Sequence, residues 1–310
     1  MMSSCVHNKH IAVLMGGHSS ERDVSLSSGS NVLHSLSSMG FKTTAVDCVE
    51  DFLNILIKVN PDICFNALHG GDGENGSIQR LLEKEGIYYT HSGVTASMNA
   101  MNKLYSKNLF LENNINTPPY EIVNVDKLNM IHRKNPFVIK PINGGSSKGV
   151  YTILNESDKL SILSIQNFWC YGDTILIEDY IEGKELTCAV FNGNPTGVME
   201  VIAKNNFYDY DSKYSDHGSE HIIPAEIPSE IYSLVQDISL KTHKIFGCRG
   251  VTRSDFRWNK KLNSKGLFIL EINTQPGMTL KSLVPELVKK LGFSFNDLVL
   301  SLVEGASCNR

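Results

Sequence analysis

What the chain lacks narrows its chemistry first. Seven cysteines (Cys5, Cys48, Cys64, Cys170, Cys188, Cys248 and Cys308) are scattered along 310 residues, and no two form a Cys-x-x-Cys pair. Neither a zinc ribbon nor a disulfide framework is expected, and the thiols read as reduced core filling in a cytosolic protein. No uninterrupted apolar run is long enough to span a bilayer. The opening MMSSCVHNKH has no signal-peptide apolar core, so secretion is not expected and a cytoplasmic location is. Charge of either sign is in small excess: the net value of -4 speaks against a general nucleic-acid or membrane-surface binder. The first strand is not followed by G-x-G-x-x-G, which removes the fingerprint a nicotinamide dehydrogenase would carry. His217 and His221 have a metal-like spacing that needs a helix, but DYDSKYSDHGSE around them is loop-like, so zinc is not expected.

What is present is ordinary for a globular enzyme, 41% apolar and 20% charged, and long enough for two or three domains. The first third alternates apolar strands with helical segments. Ile11–Met15, Phe41–Val46, Ile63–Leu68 and Ile87–Tyr89 read as strands, and Val24, Ser28, Val32 and Leu36 recur at helical spacing between the first two. Such alternation implies a parallel sheet with crossover helices. Glu21 stands in the turn after the first strand. It is either a capping acid complementing a helix dipole or, at the carboxyl end of a sheet, a receiver for a substrate ammonium. A second strand end, HGGDGENGSIQ, is glycine-rich and carries His69 and Glu74.

Further along, Phe137–Lys140 and Val150–Ile153 predict strands joined by the loop Gly144–Gly149. Backbone amides of a Gly-Gly-Ser-Ser loop can wrap phosphate oxygens, although G-x-x-x-x-G-K-[ST] is missing here. Lys140 ends a buried-looking strand, where an unpaired charge would be costly. Asn205–Pro224 is long, polar and aromatic, as binding loops and lids are. The most informative stretch is LFILEINTQPGMT, Leu267–Thr279. Glu271 and Asn273 sit two apart on a strand and so face one way, offering two hard oxygen donors of the kind Mg²⁺ takes. If this strand pairs with Val251–Trp258 symmetrically about Asn263, Asp255 lies opposite Glu271 and Arg253 opposite Asn273. A slip of one residue would send one pair to the other face.

GGHSSERDVSLSSG, HGGDGENGSIQ, VIKPINGGSSKGV, FYDYDSKY, RSDF and LEINTQPGMT together resemble the D-alanine–D-alanine ligases of the ATP-grasp superfamily, from about Ile11 to Val303. The resemblance implies an α/β chain (α+β overall) with the ATP-grasp fold. Residues 1–98 would form a Rossmann-like substrate domain, 99–182 the central ATP-grasp domain, and 183–310 the C-terminal one with lid and metal site. ATP would be clamped between the last two. The first D-alanine would attack the γ-phosphate, and the amine of a second would attack the resulting acyl phosphate.

Residue by residue, the resemblance gives Glu21, Ser146, Tyr214, Arg253 and Gly277 to catalysis, with Glu21 on the first D-alanine's ammonium and Arg253 and Gly277 on the oxyanion. His69, Ser282 and Leu283 match the D-alanine sites. Lys103, Lys140, Ser147, Glu178, Tyr180, Ile181, Glu185, Phe207, Lys213 and Leu270 match the ATP site. Asp255, Glu271 and Asn273 match the ligands of two Mg²⁺ ions, for which Mn²⁺ is a substitute, and a homodimer is expected. The chain departs from the family pattern at Lys148, Asn75, Arg80 and Asn102, which touches the positioning of the first loops. Tyr214 favours D-alanine over D-lactate as the second substrate.

Overall fold

The computed structural model describes residues 8–131, 133–134, 136–155, 158, 162–203 and 219–308. Its first sheet is parallel, with strands β1 (His10–Met15), β2 (Lys42–Asp47), β3 (Ile63–Asn66) and β4 (Tyr88–Tyr89) in the order β2-β1-β3-β4. Helices α1 (Arg22–Ser38), α2 (Phe52–Val59) and α3 (Ser77–Lys84) make the crossovers. Ile11, Ala12, Val13 and Leu14 are all fully buried, as a parallel strand covered on both faces requires. Each such branched side chain contributes about 1.5–3 kcal/mol by leaving water. The expected strands and helices of this region all occur, with ends shifted by a residue or two.

Two helices meet at Asn102. α4 (Val94–Met101) ends at Asn102, and α5 (Lys103–Glu112) begins there, with the Asn102 side chain accepting a hydrogen bond from the Tyr105 amide. Asn102 thus caps a helix, as an aspartate could. β5 (Tyr120–Asn124), β6 (Phe137–Pro141), β7 (Tyr151–Ile153) and β8 (Thr174–Asp179) form an antiparallel sheet, ordered β5-β8-β6-β7. α6 (Ile162–Phe168) covers it.

A third sheet, also antiparallel, runs β11 (Ser219–Ile222), β10 (Asn194–Ala203), β9 (Lys184–Phe191), β12 (Val251–Trp258), β13 (Leu267–Asn273). α7 (Ser229–Ile245) packs on one face, and α8 (Leu283–Lys290) and α9 (Phe295–Glu304) follow β13. α9 opens with a reciprocal capping box between Ser294 and Asp297, the start its sequence suggests. The last two helices pack against β1 and α1: Val284, Leu298 and Leu302 share a core with Ile11, Val13 and Leu36. The end of the chain therefore fixes the first sheet against the third, and the sites at their strand ends face one cleft.

The connection from β12 to β13, Lys260–Gly266, consists of two short 3₁₀ turns separated by Asn263, whose φ is 48°. The register nevertheless has Arg253 opposite Asn273 and Asp255 opposite Glu271. Symmetry about Asn263 ends there, because Phe256 pairs with Ile269 and a bulge leaves Leu270 as the extra residue.

Candidate active site

Three chain segments converge on the cleft from the ends of their strands. After β1, Gly16 and Gly17 adopt positive φ and turn the chain into α1. Glu21 occupies the cap position of α1, but its carboxylate makes no capping hydrogen bond. Instead it accepts one from the Ser146 hydroxyl at 2.6 Å, across 125 residues. Burial, then the neighbouring Glu74, raises its pKa above the ordinary 4.5, while Ser146, His69 and Lys148 pull it down. After β3, His69 is held by Ser28 at 2.8 Å and lies 3.7 Å from Glu74. The Ser28 hydroxyl also accepts from the Met278 amide at 3.2 Å, tying the His69 loop to the stretch after β13.

The Gly144–Gly149 loop reaches over from the second sheet. Ser146 and Ser147 both have positive φ (53° and 57°) in a turn closed by Lys148 N–H to Gly145 O, 3.2 Å. Non-glycine residues in this region cost about 1–3 kcal/mol each and cluster at ligand sites. Lys103 donates to the Gly144 carbonyl, and Lys148 donates to the Ser20 hydroxyl. The two lysines bracket the loop, one from α5 and one toward the first sheet.

β12 and β13 supply the floor. Arg253, Asp255 and Arg257 alternate with the buried Thr252, Ser254 and Phe256, so all three face the cleft. The Arg253 fork grips Asp255 at 2.8 and 2.7 Å, and Thr187 on β9 donates to the same carboxylate at 2.7 Å. The Asn273 amide oxygen accepts from the Gln275 N–H at 2.8 Å. Ser282, whose hydroxyl lies 3.0 Å from the Thr279 amide and 2.8 Å from its hydroxyl, precedes α8 and Leu283.

These groups line a two-part cleft. The first part, about 920 Å³, contains His69, Lys103, Ser146, Arg253, Glu271, Asn273, Gly277, Ser282 and Leu283. The second, about 860 Å³, contains Lys103, Lys140, Ser147, Glu178, Tyr180, Ile181, Glu185, Asp255, Leu270 and Glu271. Glu21 stands at the edge of the first through its bond to Ser146. Phe207, Lys213, Tyr214 and His217 lie outside the described residues. Among the described residues no three His, Cys, Asp or Glu side chains converge as a metal cluster. The donor set is two carboxylates and one amide, all oxygen, which fits a hard divalent cation and not zinc.

Two residues missed in the sequence organise the second part. Arg257 donates to the Ile181 carbonyl (3.0 Å) and the Tyr180 hydroxyl (3.2 Å), and pairs with Glu185 at 3.3 Å. Period two along β12 from Arg253 would have pointed to it. Lys107 lies fully buried against Glu178 at 2.7 Å, four residues from Lys103 on one helix face. Glu178 also pairs with Lys140; burial pushes its pKa up, but Lys140 and Lys107 outweigh that and hold it low. Asn75 and Arg80 stay at the surface: Asn75 receives the Ser77 amide at 2.9 Å, and Arg80 sits beside Met98.

The family model for the D-ala D-ala ligase C-terminus matches residues 109–304. D-alanine–D-alanine ligase B of Mesorhizobium japonicum is 46% identical over 306 residues, 98% of this chain and 99% of that protein. The D-alanine–D-alanine ligase of Agrobacterium fabrum is 45% identical over 305 residues, covering 97% and 99%. The D-alanine–D-alanine ligase of Bacillus anthracis complexed with ATP superposes with a TM-score of 0.77 at 28% identity, over 96% of this chain and 97% of that one. The fold is thus that of the ATP-grasp ligases. On these grounds the chain belongs to the D-alanine–D-alanine ligase family.

Proposed function

We propose that this chain joins two D-alanine molecules into D-alanyl-D-alanine, a peptidoglycan precursor, with ATP converted to ADP and phosphate. The observation that carries the reading is the facing of Arg253 with Asn273 and Asp255 with Glu271 on the floor of one cleft. A guanidinium and three oxygen donors meet there, between the Ser146 loop and His69. In this reading a carboxylate oxygen of the first D-alanine attacks the γ-phosphorus, the bond to the β-bridging oxygen breaks, and ADP leaves. The amine of the second D-alanine then attacks the acyl carbon, loses a proton and expels phosphate. The protein's part is positioning and charge stabilisation. Glu21 holds the first ammonium and Ser146 fixes that carboxylate at 2.6 Å. Arg253 and the Gly277 amide face the oxyanion, and Ser282 with Leu283 receives the second D-alanine.

Lys103, Lys140 and Ser147 serve the phosphates, and Glu178, Tyr180, Ile181, Glu185 and Leu270 the adenosine; Phe207, Lys213 and Tyr214 are assigned to the same site. Asp255, Glu271 and Asn273 would hold two Mg²⁺ ions, replaceable by Mn²⁺, which when bound neutralise phosphate charge. Residues 1–98, 99–182 and 183–310 act as three domains of a cytoplasmic homodimer. Among the described residues no helix is long and apolar enough to cross a membrane. The test is ADP release with D-alanine, D-lactate and L-alanine in competition. D-alanine alone should support turnover, and Tyr214→Phe should admit D-lactate. Turnover with L-alanine, or none with D-alanine, would overturn the assignment.

A further inference from the structure

Glu178 on β8 is 2% exposed, yet two ammonium groups reach it from opposite sides: Lys140 at Oε1 and Lys107 at Oε2. The two lysines differ in freedom. Lys107 is fully buried, donates hydrogen bonds to Thr117 Oγ1 (2.8 Å) and the Pro118 carbonyl (3.1 Å), and forms an ion pair with Glu178 Oε2 at 2.7 Å. It also lies 5.1 Å above the Tyr120 ring. Lys140 instead lines the nucleotide half of the cleft beside Ser147 and Lys103. A lone Lys140–Glu178 pair would be neutral and self-satisfied, and moving Lys140 to a phosphate would leave a buried, uncompensated carboxylate. With Lys107 behind Glu178, that carboxylate keeps a counter-charge whichever way Lys140 turns.

We propose that Lys107 is a positioning residue for nucleotide binding: it neutralises Glu178 from behind and so releases the Lys140 ammonium to a polyphosphate. The inference rests on the nucleotide site proposed above. Desolvation lowers the Lys107 pKa to about 8 against the opposing attraction of Glu178, with repulsion from Lys140 and Lys103 adding to the lowering.

The test uses the full-length protein and ADP titrated calorimetrically, with steady-state KM values for ATP and D-alanine. Lys107→Met should raise the ADP Kd and the ATP KM at least tenfold, with the D-alanine KM within twofold of wild type. A falling melting temperature with an ADP Kd within twofold of wild type would reduce Lys107 to a structural residue. If Lys107→Met does not fold, Glu178→Gln and the double variant Lys107→Met/Glu178→Gln decide, since neither leaves a buried unpaired carboxylate. The double variant should bind ADP within threefold of Glu178→Gln. A further tenfold loss would mean that Lys107 acts without Glu178, and would overturn the proposal. Wild type that binds no ADP would fail the nucleotide site itself, a result distinct from either.

Discussion

Adding one methyl group at Gly70 tests the junction between the first sheet and the Ser146 loop. Gly70 follows His69 with φ 67° and ψ 166°, a region essentially reserved for glycine. A Cβ built there lies 2.5 Å from Ser19 Oγ and 2.6 Å from Glu21 Oε1, closer than carbon and oxygen can approach. Gly70→Ala therefore costs about 1–3 kcal/mol in backbone strain. The methyl group meets Glu21 at Oε1 while Ser146 bonds its Oε2, and if the carboxylate turns away far enough to give up that bond, roughly 1.5–3 kcal/mol of charge-assisted hydrogen bonding is lost as well. Gly71→Ala is the control. Its φ is also positive, at 49°, but nothing lies within 4 Å of the new Cβ. It should cost only about 1–2 kcal/mol, the left-handed penalty alone. Urea unfolding should place Gly70→Ala roughly 2 kcal/mol or more below Gly71→Ala. The KM for the first D-alanine should rise about 30-fold in Gly70→Ala, the equivalent of roughly 2 kcal/mol. ADP affinity should not move, because Gly70 and Glu21 lie outside the nucleotide half. Equal stability of the two variants, or an unchanged D-alanine KM, would refute the placement of Glu21.

Glu271→Gln should abolish ADP formation while the protein keeps its melting temperature within a few degrees; wild-type turnover would remove Glu271 from the metal floor. Glu21 is protonated more readily in the folded chain than in the unfolded one. Its contribution to stability is therefore present below its ordinary 4.5 and declines as pH rises through the raised value. Glu21→Gln should accordingly melt at or above wild type at pH 7 while losing affinity for the first D-alanine, and a lower melting point at pH 7 than wild type would contradict the sign. Lys148→Val should weaken ATP binding about three- to tenfold, on the scale of one partly exposed charge contact; an unchanged Kd would mean that the ammonium does not contact the phosphates.

The strands of the parallel sheet were legible because continuous apolar runs bounded by glycine have few other readings. The facing of Asp255 and Glu271 was legible because period two leaves only two choices, and one wastes both pairs. Other features left no local mark. Nothing in the run of residues around Lys107 marks it as buried, and its counter-charge, Glu178, lies 71 residues on in sequence. The Gln275 amide bonds the Asn66 backbone across 209 residues, and no pattern of residue types announces such a pair. Ser146 and Ser147 carry side chains where glycine would relax the turn, so propensity alone argues against the conformation they adopt.

The bulge in β13 is the feature that joins fold to chemistry. Strict alternation would put Glu271 and Asn273 toward the cleft and Leu270 with Ile272 in the core. Instead Phe256 pairs with Ile269, so Leu270 and Glu271 both line the cleft while Ile269 and Ile272 stay buried. One strand thereby contributes to both parts: Leu270 to the second, Asn273 to the first, and Glu271 to each. Lys103 and Gly145 are shared in the same way. A reaction in which a carboxylate attacks the terminal phosphate needs its two reactants to meet where the two parts of the cleft join. The residues common to both parts are a carboxylate, an ammonium and a loop glycine. In the proposed reaction the transfer would then take place at the Glu271 end of the bulge, and Arg253 and Gly277, which line the first part alone, would meet the acyl group next.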